Sequence, residues 1–225
     1  MREARGSSIR RRLGMVCILA TMVAVPAQAG VLPFPVGVRG GANIASLSFE
    51  NLSSAVTKEE SHLGAFVAGY VEFPVLPLLS IEAGLSFGEQ GGEIEGSGTF
   101  FNQTFSGKAT VKLVYMHVPV LAKVTFNAGR VKPYVKAGPQ LGILLSSNLE
   151  FDPTNGPTVE RDTKKLTESV EFGLQFAGGV QFPGSVGSFI EVGYDLGLTG
   201  ISKEPWPLFT QVQNRVLGVT AGFTF

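Results

Sequence analysis

From Val36 to the last residue, large apolar side chains alternate with glycine or polar ones, the two-residue period of a strand whose faces meet different surroundings. Eight segments carry it, at about 36–44, 62–73, 79–88, 114–124, 134–143, 171–182, 189–198 and 217–225. In the third, Leu79, Ile81, Ala83, Leu85 and Phe87 stand against Ser80, Glu82, Gly84, Ser86 and Gly88 without exception. The seventh sets Ile190, Val192, Tyr194, Leu196 and Leu198 against Phe189, Glu191, Gly193, Asp195 and Gly197. No helix of useful length interrupts the series.

The connections alternate as strictly as the side chains. Residues 74–78, 126–130 and 183–187 are short and rich in turn formers, whereas 47–61, 89–110, 146–167 and 200–211 are long and mostly polar. In an up-and-down barrel this places every long loop at one rim, with the short turns and both chain ends at the other. One face of the strands is nearly uniform Val, Leu, Ile, Ala and Phe. The other is Gly, Ser, Gln and Thr with few charges, which suits a narrow lumen and would solvate an exterior poorly. The expected fold is therefore all-β: an eight-stranded antiparallel up-and-down transmembrane β-barrel with its apolar face in lipid. A soluble barrel with the faces reversed is the alternative.

Composition agrees. Only 16% of the 225 residues are charged, against about a quarter in soluble domains, and 29 are glycine. The first 29 residues read as a cleavable signal peptide: Arg2, Arg5, Arg10, Arg11 and Arg12, then an apolar stretch from Leu13, then Ala27-Gln28-Ala29 as cleavage site. Neither the sequence before Cys17 nor that around the arginines fits a lipoprotein or twin-arginine signal. Residues 30–225 are then the barrel domain, secreted across the inner membrane and destined for the outer membrane. Past residue 29 there remain 13 basic and 17 acidic residues, so nucleic acid is excluded as a partner. The only cysteine is Cys17, so the barrel has no disulfide or thiolate metal site. Nothing in the sequence calls for a cofactor or metal.

Candidate chemistry lies on the polar face. Arg39, Glu72, Glu82, Lys123, Lys136 and Glu191 all fall near the short-turn ends of their segments, so closure brings them to a similar depth, where mutual neutralisation makes a salt-bridged plug. A proton or ion path along the same charges is the competing reading. Asp195 lies nearer mid-barrel. A bulge at Pro119 would reverse Leu121 and Lys123 and remove Lys123 from the set. His117 is the more enclosed histidine and a candidate base for a lipid-modifying enzyme, though no Ser and carboxylate accompany it at a recognisable spacing; His62 is expected to be solvated near the loop rim. In the second long loop, Phe100, Phe101 and Phe105 offer a contact surface for an envelope or extracellular protein, unless that loop is a hairpin continuing its strands.

Several segments resemble the PorT-like outer-membrane beta-barrel domain family: Gly37-Val38-Arg39-Gly40-Gly41-Ala42-Asn43, Ile81-Glu82-Ala83-Gly84-Leu85-Ser86-Phe87, Tyr115-Met116-His117-Val118-Pro119-Val120-Leu121-Ala122-Lys123, Pro133-Tyr134-Val135-Lys136-Ala137-Gly138-Pro139 and Glu191-Val192-Gly193-Tyr194-Asp195-Leu196-Gly197-Leu198. The resemblance implies an integral outer-membrane barrel without catalytic residues, with some members connected to secretion. His117 stands where the family often has an acid. Phe223 and Phe225 look like the C-terminal signal read by the barrel-assembly machinery, with Thr220 where that signal often has Gly. The sequence thus points to a non-enzymatic outer-membrane protein with a structural, adhesion or secretion-associated role through its loops. Alternatives are a narrow pore and a lipid-modifying enzyme at the rim.

Overall fold

A computed structural model of the chain describes residues 33–50, 56–100, 103–153, 158–164, 168–200 and 211–225. The signal peptide expected at 1–29 lies outside them. Nine strands occur among the described residues: β1 (Val36–Glu50), β2 (Val56–Leu76), β3 (Leu79–Phe100), β4 (Gln103–Thr125), β5 (Lys132–Pro153), β6 (Val159–Asp162), β7 (Val170–Phe182), β8 (Gly187–Gly197) and β9 (Gln211–Thr224). Each barrel strand pairs antiparallel with its neighbours, β5 runs beside β7, and β9 returns to β1, so eight strands close a ring with no free edge. The seam holds to the termini, where Val36 and Phe225 exchange backbone hydrogen bonds of 3.3 and 2.8 Å. The short strand β6 pairs with residues 148–151 of β5, along the edge that β7 occupies lower down.

The face assignment follows the side-chain period. Outward positions are exposed and apolar: Leu63 and Phe73 on β2, Leu85 and Phe87 on β3, Ile190 and Val192 on β8, Leu217, Val219 and Phe223 on β9. On β2 this band runs from Leu63 to Phe73, a length that matches the roughly 9–11 residues a tilted strand needs to cross a bilayer. Phe34, Phe73, Phe126, Phe182 and Phe223 are exposed around the short-turn rim, forming an aromatic girdle at one membrane boundary. Inward positions hold Arg39, Asn43, Tyr70, Glu82, His117, Lys136, Gln140 and Glu191, all buried.

The structure extends the strands beyond the expected loops, makes 89–110 the hairpin that continues its strands, keeps Lys123 inward and covers His62. The long connections at 47–61, 89–110 and 146–167 are largely strand: β3 and β4 run 22 and 23 residues and stay paired up to Phe100 and Gln103. The backbone ladder thus continues where the apolar alternation has stopped. The register does not slip at Pro119, since Pro119 faces Gln140 and Ala122 faces Ala137; it shifts between Val114 and Tyr115, where β5 buries Leu144 and exposes Leu145. Lys123 therefore keeps its inward position. His62 is not freely solvated but lies 2.9 Å from Glu89 through Nε2, with its side chain largely covered.

Candidate functional site: the barrel lumen

The lumen is built from side chains two apart on each strand, so its chemistry is stacked in levels. At the short-turn end all six charged residues meet. Arg39 Nη1 lies 2.7 Å from Glu82 Oε1 and 3.9 Å from Glu191 Oε1. Lys136 Nζ sits 2.9 Å from Glu82 and 2.6 Å from Glu191. Lys123 reaches Glu72 at 2.7 Å, and Ser80 donates to the same carboxylate at 2.6 Å. Three cations thus neutralise three carboxylates, and each charge is paired where an unpaired one would cost several kcal/mol.

Aromatic rings complete this floor. Tyr70, Tyr134 and Phe189 form a buried cluster, with edge-on contacts from Phe189 to both tyrosines. The Tyr134 hydroxyl donates to Glu191 at 2.9 Å, and its ring lies 4.6 Å from Lys123 Nζ; Arg39 stands over the Tyr70 ring at 5.2 Å. Both tyrosine rings lie against glycines of neighbouring strands. A Cβ at Gly179 would come within 2.7 Å of the Tyr134 ring, and one at Gly37 would overlap the Tyr70 ring outright. These aromatics had no part in the plug expected from the sequence. Their signal was parity: Tyr70 and Tyr134 each lie two residues from a plug charge, Glu72 and Lys136.

Above the floor lies a cavity of about 40 Å³ that His117, Asn43 and Asp195 help to line. Ser86 faces His117 directly across β3 and β4 and lines the same cavity. Among the described residues no hydrogen bond joins the two, and the chamber is far too small for a lipid. Higher still, Asn214 donates to Gln90 at 2.9 Å and approaches Glu171 at 3.5 Å, and Glu171 is buried. Glu171 lies on the inward face but at the opposite end of its strand from the floor, which is why closure does not add it to the plug. Among the described residues no group of three or more His, Cys, Asp or Glu side chains is arranged to hold a metal.

The remaining candidates lie away from the lumen. Phe223 is half exposed on the lipid face, and Phe225 closes the seam through its backbone. Phe100 ends β3 and Phe105 lies on β4, facing Gly98, so both belong to the projecting hairpin; Phe101 lies outside the described residues.

A family model described as an outer membrane protein beta-barrel domain matches residues 26–203. No curated protein matches the chain. Among solved structures the chain is similar to Neisserial surface protein A, at 15% identity and a TM-score of 0.44, over 84% of this chain and 97% of that one. It is similar to OprG from Pseudomonas aeruginosa at 11% identity and a TM-score of 0.45, over 85% and 96%. Ail, the attachment invasion locus protein of Yersinia pestis, matches at 15% identity and a TM-score of 0.37, over 86% and 100%.

Proposed function

The chain belongs to the outer membrane protein beta-barrel domain family, and from that premise we propose that it is a non-enzymatic surface scaffold, closed to solute flow, that meets an envelope or extracellular protein through the strands raised above the bilayer. Its place is the bacterial outer membrane. The observation that carries the proposal is the mismatch between strand length and bilayer. The 22 and 23 residues of β3 and β4 are about twice the 9–11 that crossing requires, while β7, at 13, barely exceeds it and β8, at 11, only meets it. The surplus of β2 to β5 forms a wall on one side of the loop rim, and a structure with no contact to make has no need of it. The resemblance to the PorT-like family, carried by segments such as the one from Tyr115 to Lys123, favours a secretion-associated contact.

The floor argues against transport. Its charges are spent on one another and its rings fill the gaps, as expected of an eight-stranded interior. The lumenal position of His117 argues against a rim enzyme, since a base acting on lipid must reach the membrane face. The proposal is tested in two steps. In planar bilayers the refolded protein should give no stepwise conductance, and steady single-channel steps from the wild type would replace the scaffold reading with a pore. In whole Gram-negative cells displaying the protein, replacing residues 93–110 by a tight turn should leave the heat-modifiable band intact and abolish adherence to immobilised extracellular-matrix protein or export of the cell's secreted proteins. If both persist unchanged, the wall is not the working surface.

A further inference from the structure

Above the ring the wall keeps two distinct faces. Ser147 is buried with its Oγ 2.8 Å from Thr163 Oγ1, so residues at even spacing from this pair share the face over the barrel mouth: Val111 on β4, Leu149 and Phe151 on β5, Val159 on β6. The other face is charged. Lys112 pairs with Glu150 across β4 and β5, and the Thr158 hydroxyl donates to Asp152 at 2.9 Å, which places Thr158, Glu160 and Asp162 on the outside. The Thr163 N–H donates to the Ser147 carbonyl, directly opposite it in the β5–β6 register, at 2.9 Å. In an antiparallel ladder every second pair bonds in this way, so Val159 and Arg161 turn their backbone groups toward β5, and those of Glu160 and Asp162 point away from it. Among the described residues no strand lies along that outer edge, and Val159 at its end is 48% exposed.

We propose that this edge of β6 takes up an extended segment of a partner protein as a further strand, one in which apolar residues alternate with lysine or arginine. The inference rests on the raised wall being the working surface and names the chemistry of what it meets. The backbone groups of Glu160 and Asp162 offer donor and acceptor at every second residue, the repeat that strand addition satisfies, and an edge left open in water invites such pairing. Side chains of the added strand fall alternately on the two faces. On the inner face they continue the row of Leu149, Phe151 and Val159, so apolar residues fit there. On the outer face they stand beside Glu160 and Asp162, which lie opposite Glu150 and Asn148 on β5. Asp162 is held by the Lys164 backbone N–H at 2.9 Å, a neutral donor. A column of carboxylates is complemented by basic side chains.

The probe is a short fluorescent peptide alternating valine and lysine, with a second copy N-methylated at every residue, which keeps the charges but cannot donate to a neighbouring strand. Binding to the full barrel refolded in zwitterionic detergent is read by anisotropy, corrected for empty micelles. The wild type should bind the first peptide at least about tenfold more tightly than the second. Glu160→Pro removes a donor from the outer edge, where an edge strand tolerates proline, so the heat-modifiable band should persist while binding falls about tenfold. Glu160→Gln loses the same charge but keeps the N–H, and should bind better than Glu160→Pro. Equal binding of both peptides would mean adsorption by charge alone; equal binding by the two variants would mean the edge is not used. Either result overturns the inference, as does a wild type that binds neither peptide. A wild-type dimer dissolved by Glu160→Pro would make a second copy the occupant and overturn it too. Should Glu160→Pro fail to refold, the two peptides on the wild type still decide. In the display assay, full adherence and export with Glu160→Pro, where replacement of residues 93–110 abolishes them, sinks this edge and spares the wall; persistence in both overturns the wall itself.

Discussion

The most exacting consequence of the plug concerns one atom pair on one side chain. Glu82 is 2% exposed, and its carboxylate takes Arg39 at 2.7 Å and Lys136 at 2.9 and 3.3 Å. Glu82→Gln keeps the shape but removes the charge and turns an NH₂ group toward one of two cations. Removing one partner of a buried ion pair costs about 3–5 kcal/mol. Glu191 still touches both cations, at 3.9 and 2.6 Å, so the lower end applies, about 3 kcal/mol. That is a factor of about 100 or more in the folded-to-unfolded ratio. With a urea dependence of about 1–3 kcal/mol/M, the unfolding midpoint should fall by about 1–3 M.

The assay is reversible urea unfolding in lipid vesicles, read by tryptophan fluorescence and by the unboiled band. Lys136→Met alone should be costly too, but added to Glu82→Gln it should cost less than it does by itself, with a coupling of about 0.5–3 kcal/mol. As a comparator, Lys112 and Glu150 form an ion pair on the wall with side chains 29% and 39% exposed. Breaking it by Lys112→Ala should cost no more than about 1 kcal/mol. If Glu82→Gln changes stability no more than Lys112→Ala, or the two lumenal changes simply add, the plug is not what holds the floor together.

Two further outcomes follow from the packing. Gly37→Ala drives a methyl into the Tyr70 ring and should destabilise by about 1–3 kcal/mol, and the loss should be recovered when Tyr70 is also changed to Leu; an equal loss in both backgrounds would show that the ring is not the obstacle. Val219 lies midway along β9 between Arg215 and Phe223 on the lipid face, so Val219→Arg should cost about 2–4 kcal/mol in a bilayer, and a cost near zero would mean the apolar band does not face hydrocarbon.

What the sequence made legible was whatever the bilayer imposes. Between Leu63 and Phe73 each residue faces either hydrocarbon or a packed lumen, so parity alone assigns Tyr70 and Glu72 inward and Val71 and Phe73 outward. From Glu93 to Thr99 the sequence carries no such alternation, so a period count alone does not separate an extended hairpin from a glycine-rich loop. The shift that buries Leu144 and exposes Leu145 was equally invisible, because two adjacent leucines look alike to a period count. The six floor charges were found because parity and distance from a turn fix a residue's level in a closed barrel. Tyr134 and Phe189 obey the same two rules but carry no charge to draw notice. The acids above them, Asp195 and Glu171, were individually visible, yet their standing outside the ion pairs of the floor is a three-dimensional fact.

The partners in the floor reveal what the network is for. Arg39 is on β1 and Glu82 on β3; Lys136 is on β5, Glu191 on β8, Lys123 on β4 and Glu72 on β2. Every ion pair among them skips one intervening strand: β1 to β3, β3 to β5, β5 to β8 across β7, β8 back to β1 across β9, and β2 to β4. Adjacent strands align side by side as soon as their backbones pair, but strands two apart bring side chains together only when the sheet curls. An open sheet would therefore hold these six charges apart, exposed or stranded, and gain none of the pairs. The β8-to-β1 link goes further, because it bridges the β9–β1 seam that closes last in chain order. The plug therefore favours the closed ring over a partly rolled sheet, and the loss from Glu82→Gln should fall on closure itself: strand content by circular dichroism should outlast the fast-migrating band as urea rises, where in the wild type the two should vanish together.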